Sequence, residues 1–248
     1  MTKLEWGRLG ERLYELGVDR GVLFVPGHDG VAWNGLVAVT ETPSSSGVRQ
    51  SFLDGIVYHT EAPRDLYSYQ IEALYSPPEF DECDGVEQVF DGVFASEQLR
   101  KPFGFSYRSL VGNSIEGEAH GYKVHLVYNS LATPANRAHK TIEGDPDLEP
   151  LAWEVSTTPE QIPMGDRATY SAHLFFETGK TPAWELRKVE NILYGTDSSA
   201  PRLPLPSELY SIFYLVIIDG NEDGEELRIY DGGTADTTYD SWVDGGSL

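Results

Sequence analysis

The segment DGNEDGEELRIY, residues 219–230, begins as a calcium-binding EF-hand loop should. Asp219, Asn221, Asp223 and Gly224 fill positions one, three, five and six, where oxygen ligands and a sharp turn are needed. Position eight is then Glu226 instead of a hydrophobe. Position twelve is Tyr230, so the bidentate carboxylate is missing. The stretch reads as an acidic hairpin turn, with weak cation binding as its residual chemistry.

The histidines give no metal motif. His120 and His125 are five apart, an odd spacing that puts them on opposite faces of a strand. His28 and His120 fall in turns, His59 and His173 at strand positions, and His139 near a loop. No spacing resembles HExxH or a Cys/His cluster.

Nucleophiles fare no better. Ser114 in GNSIEG has Gly112 two residues before it but Glu116 two after, so the turn is not a nucleophile elbow. The single cysteine, Cys83, sits in DECDG, where neighbouring carboxylates disfavour a thiolate. It cannot form an intramolecular disulfide, and it fits folding in a reducing cytoplasm. The 40 acidic residues offer too many carboxylate pairs to single out a glycosidase pair. Neither GxxxxGK[ST] nor GxGxxG occurs, so no phosphate-cradling loop is present. The sequence reads as a non-enzyme, with no catalytic residue, no cofactor and no metal site.

Composition narrows the partners. The formal net charge is −22, from 40 acidic and 18 basic side chains. That balance disfavours nucleic-acid binding, which needs clustered Lys and Arg to neutralise phosphate. A surface that must not stick to nucleic acid would carry this sign, though charge also serves solubility. The N-terminus, MTKLEWGRLGERLYELG, has no apolar core of a signal peptide. The longest strictly apolar run, IFYLVII at 212–218, is too short to span a bilayer.

The elements that would position these residues are mostly strands. Period-2 alternation recurs at 31–39, 67–75, 103–111, 122–128, 151–157 and 168–176. In 122–128, for example, Tyr122, Val124, Leu126 and Tyr128 oppose Lys123 and His125. Such one-sided strands belong to antiparallel sheets with one face on a core. One helix is expected near 182–194, with Thr181 as N-cap, Pro182 at its first position and Gly195 past its end. A helical turn is expected around 76–85. The stretch 31–59 predicts a long hairpin in which 31–39 pairs with 51–59 across a soft tip, TPSSSG, at 42–47. DSSAPRLPLPSE, at 197–208, reads as a Pro-rich connector. A β-domain over 1–206 is therefore expected to be followed by an acidic, peripheral extension over 207–248, containing a hairpin around GNEDGE. That extension holds ten acidic residues and one basic residue, Arg228.

The order of the motifs resembles the major tail proteins of long-tailed, siphophage-type bacteriophages. The motifs are ERLYELGVDRGVLFVP, GVAWNGLVAVTE, YSPPEFDECDG, KPFGFSYRSLVGN, GYKVHLVYNSLATP, AWEVSTTP and NILYG…PRLPLP. The resemblance covers roughly residues 5–206. It implies a mainly β fold, an antiparallel β-sandwich or rolled sheet with one flanking helix. It implies a virion protein, assembled in the host cytoplasm as hexameric rings that stack into a hollow tail tube. DNA would pass through the lumen without specific binding. The implied partners are further copies of the chain, the tape measure protein, the tail terminator and the distal tail protein. The family supplies no catalytic residues. In such a tube, Thr42, Pro43, Ser44, Ser45, Ser46 and Gly47 become the candidate inter-ring contact loop. A soft tip can order on contact, its entropic cost offset by burial.

Two other readings compete. One is a carbohydrate-binding β-sandwich or virion adhesin, with Tyr67 and Tyr69 lining a sugar groove. The other is a hydrolase using two carboxylates, for which no motif speaks.

Overall fold

The structure, a computed structural model, describes residues 4–44, 47–61, 65–135, 137, 139, 141, 148–164 and 167–214. It is mainly β, with 52% strand and 14% helix, as the alternation predicts. The first strands are β1 (Tyr14–Phe24), β2 (Val31–Ala32), β3 (Leu36–Glu41), β4 (Arg49–Leu53), β5 (Ile56–Glu61) and β6 (Ser68–Ala73). A 3-10 turn, Pro78–Phe80, then runs into the single-turn α1 (Asp81–Asp84), as expected for 76–85. The strands resume with β7 (Glu87–Phe90), β8 (Val93–Ala95), β9 (Phe103–Asn113), β10 (Gly117–Pro134), β11 (Leu151–Thr157), β12 (Glu160–Met164), β13 (Arg167–Ser171) and β14 (His173–Glu177). Helices α2 (Ala183–Tyr194) and α3 (Pro206–Tyr214) follow.

The main sheet is antiparallel and runs β2-β1-β9-β10-β11-β6-β3, with β14 also paired to β10. It curls until β3 comes back beside β1, although no ladder joins those two strands. The central strand β10 serves two neighbours on one edge. Its residues 123–127 pair with β14 and its residues 130–134 pair with β11. Asn129, at φ +49°, bends the strand between these halves.

Two apolar clusters sit on opposite faces of the curled sheet. The inner one is aromatic and centred on Phe80, whose ring lies 4.7 Å from Trp33, 5.2 Å from Trp153 and 5.3 Å from Phe103. The turn and α1 thus plug the roll. Both indoles satisfy their N–H, as buried tryptophans must. Trp33 Nε1 donates to Tyr75 O and Trp153 Nε1 to Asp84 Oδ1, each at 2.9 Å. The outer cluster joins Val124, Leu126 and Tyr128 of β10 to Leu186, Val189 and Leu193 of α2 and to Leu209 of α3.

Several expectations need correction. Strand 122–128 is not one-sided. The helices cover its outer face while His125 and Val127 are buried on the inner face. Residues 31–39 do not form one strand, because Gly35 turns at φ +82° between β2 and β3. Nor do they pair with 51–59. β3 pairs with β6, and β4 pairs with β5. Residues 168–176 break into two strands at Ala172. The N-cap of α2 is Pro182, one residue later than expected, and no side chain caps it. Trp184 is exposed beneath Lys188 Nζ, 4.3 Å away.

The Pro-rich connector is strapped to the sheet. Gly30 N–H donates to Pro201 O at 2.7 Å, and Tyr128 O–H to Pro204 O at 3.0 Å. The boundary expected at 206/207 falls at the start of α3. Leu209 is buried in the outer cluster, and Phe213 stacks on Phe176 at 5.2 Å. Residues 207–214 therefore pack with the β-domain. The remainder of the acidic extension, including the hairpin expected around GNEDGE, lies outside the described residues.

Candidate functional site

The first candidate is an arm built on the β3–β6 pairing. Beyond β3 the ladder continues. Thr42 N–H donates to Ser68 O at 2.8 Å, and Ser44 bridges Leu66. The chain then enters the β4–β5 hairpin, which turns at Asp54 and Gly55 with φ of +51° and +80°. Two consecutive positive φ values at an Asp-Gly pair make the turn type I′, whose twist matches the flanking strands. Every residue of β4 and β5 is exposed. Phe52, Ile56 and Tyr58 are 64%, 67% and 73% accessible, and Leu53 and Val57 accompany them.

The predicted contact loop is thus placed differently. Thr42, Pro43, Ser44 and Gly47 lie along the root of the arm, not at its tip, and all are exposed. Ser45 and Ser46 lie outside the described residues. The tip is Asp54–Gly55.

Sequence reasoning missed a second hairpin. β7 pairs with β8 across Asp91–Gly92, and Val89, Phe90, Val93 and Phe94 are exposed. The signal was present in both hairpins. LDGIV and FDGVF each put Asp-Gly between hydrophobes, a strong short-range hairpin pattern.

The second candidate is a polar slot where the roll stays open. A cavity of about 330 Å³ lies between residues 15–18 of β1 and residues 37–39 of β3, with Tyr107, Ser109, His125 and Glu41 also lining it. Ser109 Oγ is 2.9 Å from His125 Nε2, and His125 Nδ1 is 2.9 Å from His173 Nε2. The two imidazoles lie in nearly parallel planes, 3° apart, with their centroids 5.2 Å apart. Tyr107 stacks on His125 at 4.4 Å and Tyr67 on His173 at 4.3 Å. Tyr107 O–H donates to Glu41 Oε1 at 3.1 Å.

The electrostatics follow from burial. It pushes the His125 imidazolium down to about 3, reinforced by His173 and Lys123. Burial also lowers His173, against the pull of the Glu41 carboxylate. Both rings are therefore neutral at physiological pH, with lone pairs free to accept or coordinate. Tyr67 and Tyr107 are raised, chiefly by burial, and stay protonated.

No family model and no curated protein matches the chain. The site residues named from sequence meet mixed fates. His120 lies away from His125, hydrogen-bonded to Asn113 and Glu116 at the β9–β10 turn. Tyr69 is fully buried and bonds Ser130 Oγ at 2.9 Å, so it cannot line a sugar groove. Tyr67 is half-buried against His173. Cys83 is buried in the plug, and burial pushes its thiol up to about 12. Among the described residues no helix is long and apolar enough to cross a membrane.

Proposed function

We propose that the chain is a structural subunit of a bacteriophage tail tube. It polymerises as stacked rings, hexameric by the motif resemblance, around a conduit for DNA. The observation that carries this reading is the β4–β5 arm. A hairpin exposed on both faces, with five large apolar side chains (Phe52, Leu53, Ile56, Val57 and Tyr58), has no core of its own. Two-stranded hairpins are marginal alone in water, and contiguous exposed apolar surface marks an interaction site. Burying each such side chain against a neighbouring subunit contributes about 1.5–3 kcal/mol, enough to offset ordering the arm.

Two further features fit. The seam between β1 and β3 leaves strand edges unpaired, which suits lateral assembly between subunits. The net charge of −22 keeps a DNA conduit from binding its cargo. Partners on this reading are further copies of the chain, the tape measure protein, the tail terminator and the distal tail protein, within the virion. Negative-stain microscopy of the purified full chain tests it. Rings or tubes are expected. A strictly monomeric protein, even with tape measure protein present, overturns it.

A further inference from the structure

The slot holds a convergence that self-assembly does not use. Glu41, His125 and His173 each offer one ligand atom, and these atoms lie within 4.8 Å of one another. They come from three strands: β10 and β14 are paired neighbours that bring the two histidines together, and the curl of the sheet brings Glu41 of β3 to them. We propose that these three residues bind a single divalent transition-metal ion, zinc by its donor set. This inference stands apart from the tube reading and does not depend on it.

The donor set is His₂Glu, borderline nitrogen plus carboxylate oxygen, the combination of three-ligand zinc sites with one open position. Ligand atoms about 2.0–2.1 Å from a tetrahedral ion lie roughly 3.3 Å apart. The histidine nitrogens, at 2.9 Å, must separate by about 0.4 Å and turn their lone pairs from each other toward a common point beside the N···N line. Glu41 is exposed, and while Tyr107 O–H holds its Oε1 at 3.1 Å, its second oxygen remains to close the remaining gap. The open position faces the cavity, which both Glu41 and His125 line.

The surroundings supply what a metal site needs beyond its ligands. Ser109 Oγ accepts the Nε2–H of His125 in the metal-bound tautomer, leaving Nδ1 to coordinate. The tyrosine rings on both imidazoles fix their planes. Without the ion, one imidazole donates N–H to the other. When the ion enters, that proton moves to the other nitrogen of the same ring, and no net proton is released. Glu41 is the last residue of β3, and the arm begins at Thr42. Tyr67, where the chain returns from the arm, covers His173. The ion would therefore tie the root of the arm to the floor of the roll.

The test is titration of the full, untagged chain with Co²⁺, read by visible absorption, and with Zn²⁺, read by calorimetry. One ion per chain is expected, with tetrahedral cobalt bands and a melting temperature that rises with Zn²⁺. Glu41→Gln and His173→Gln should each weaken binding by more than about 100-fold. Ser109→Ala should weaken it about 10–100-fold, as loss of an outer-shell partner does. His28→Gln and His59→Gln should leave it unchanged. If His173→Gln does not fold, the exposed Glu41→Gln decides. Absence of stoichiometric binding overturns the site. So does binding that survives Glu41→Gln undiminished.

Discussion

Ser44 and Leu66 exchange both backbone hydrogen bonds, Ser44 N–H to Leu66 O at 2.9 Å and Leu66 N–H to Ser44 O at 2.8 Å. This rung lies beyond the ends of β3 and β6, so the ladder of the main sheet continues into the arm. Ser68 Oγ adds a bond to Thr42 O on the same stretch. Thr42 and Ser44 thus extend the β3–β6 pairing toward the β4–β5 hairpin.

Deleting 42–47 should remove these rungs without touching either core cluster. The expected variant melts within a few degrees of the parent and forms no tubes. Circular dichroism and negative-stain microscopy check both halves. Normal tubes would show that the arm's root does not direct assembly.

Phe52→Asp tests the arm's apolar surface directly. Phe52 is 64% exposed, so the substitution should change monomer stability by no more than about 0.5 kcal/mol. In an assembled interface the same carboxylate would be buried and unpaired, at a cost of several kcal/mol. Sedimentation velocity should show subunits that remain dispersed at concentrations where the parent polymerises. Equal polymerisation would remove the arm from the interface.

Much of the sheet was legible because its residues obey simple alternation. Tyr69, Ile71 and Ala73 of β6 and Trp153 and Val155 of β11 fall on alternate positions of their strands, and all five are buried. The histidine pair was not legible. His125 alternates with Val124 and Leu126, which in a flat one-sided sheet makes it solvent-facing. Here α2 covers the Val124 side and the curl encloses the other, so both faces are interior. His173 joins it through β14 pairing with β10, a contact across 48 residues that local spacing does not encode. The arm was misread for a related reason. Alternation gave strands at 31–39 and 51–59 but not their partners, and the Asp-Gly pairs that fix the hairpins were overlooked.

Phe80→Ala should be severely destabilising. Its ring is fully buried and packs on Trp33, Trp153 and Phe103 at the centre of the inner cluster. The expected loss is about 3–5 kcal/mol, from lost burial and the cavity left behind. Denaturant unfolding followed by tryptophan fluorescence measures it. A loss below about 1 kcal/mol would mean that the plug is not part of the cooperative core.

Cys83 should be inert in the native protein. It is fully buried, and burial pushes its thiol up to about 12, with Glu82 adding to the effect and Lys101 opposing it. An aromatic disulfide reagent at pH 8 should label no thiol before unfolding and one equivalent in guanidinium. Rapid native labelling would show that the segment 78–84 opens readily.

The start of α3 should be sensitive to acid. Glu208 accepts the Leu205 N–H at 2.8 Å, as the third helical residue of a capping box does. It also receives both guanidinium donors of Arg202, at 2.6 and 2.7 Å. Arg202 is the main reason its carboxyl sits below the usual range, with the Leu205 bond assisting and burial opposing. A lowered folded-state pKa stabilises the fold above the unfolded carboxylate value, about 4.3, and that contribution is lost as pH falls through the folded value. The pair is partly exposed, so its worth is discounted to about 1 kcal/mol or less. At pH 7, Glu208→Gln should speed amide exchange at Leu209, whose N–H bonds Leu205 O at 3.1 Å. The gap between parent and variant should begin to narrow as pH falls below the unfolded carboxylate value, about 4.3, and close as it passes through the lowered folded value. A gap that stays constant across the whole acid titration of the folded protein would mean that the ionised carboxylate is not what holds this end of the helix.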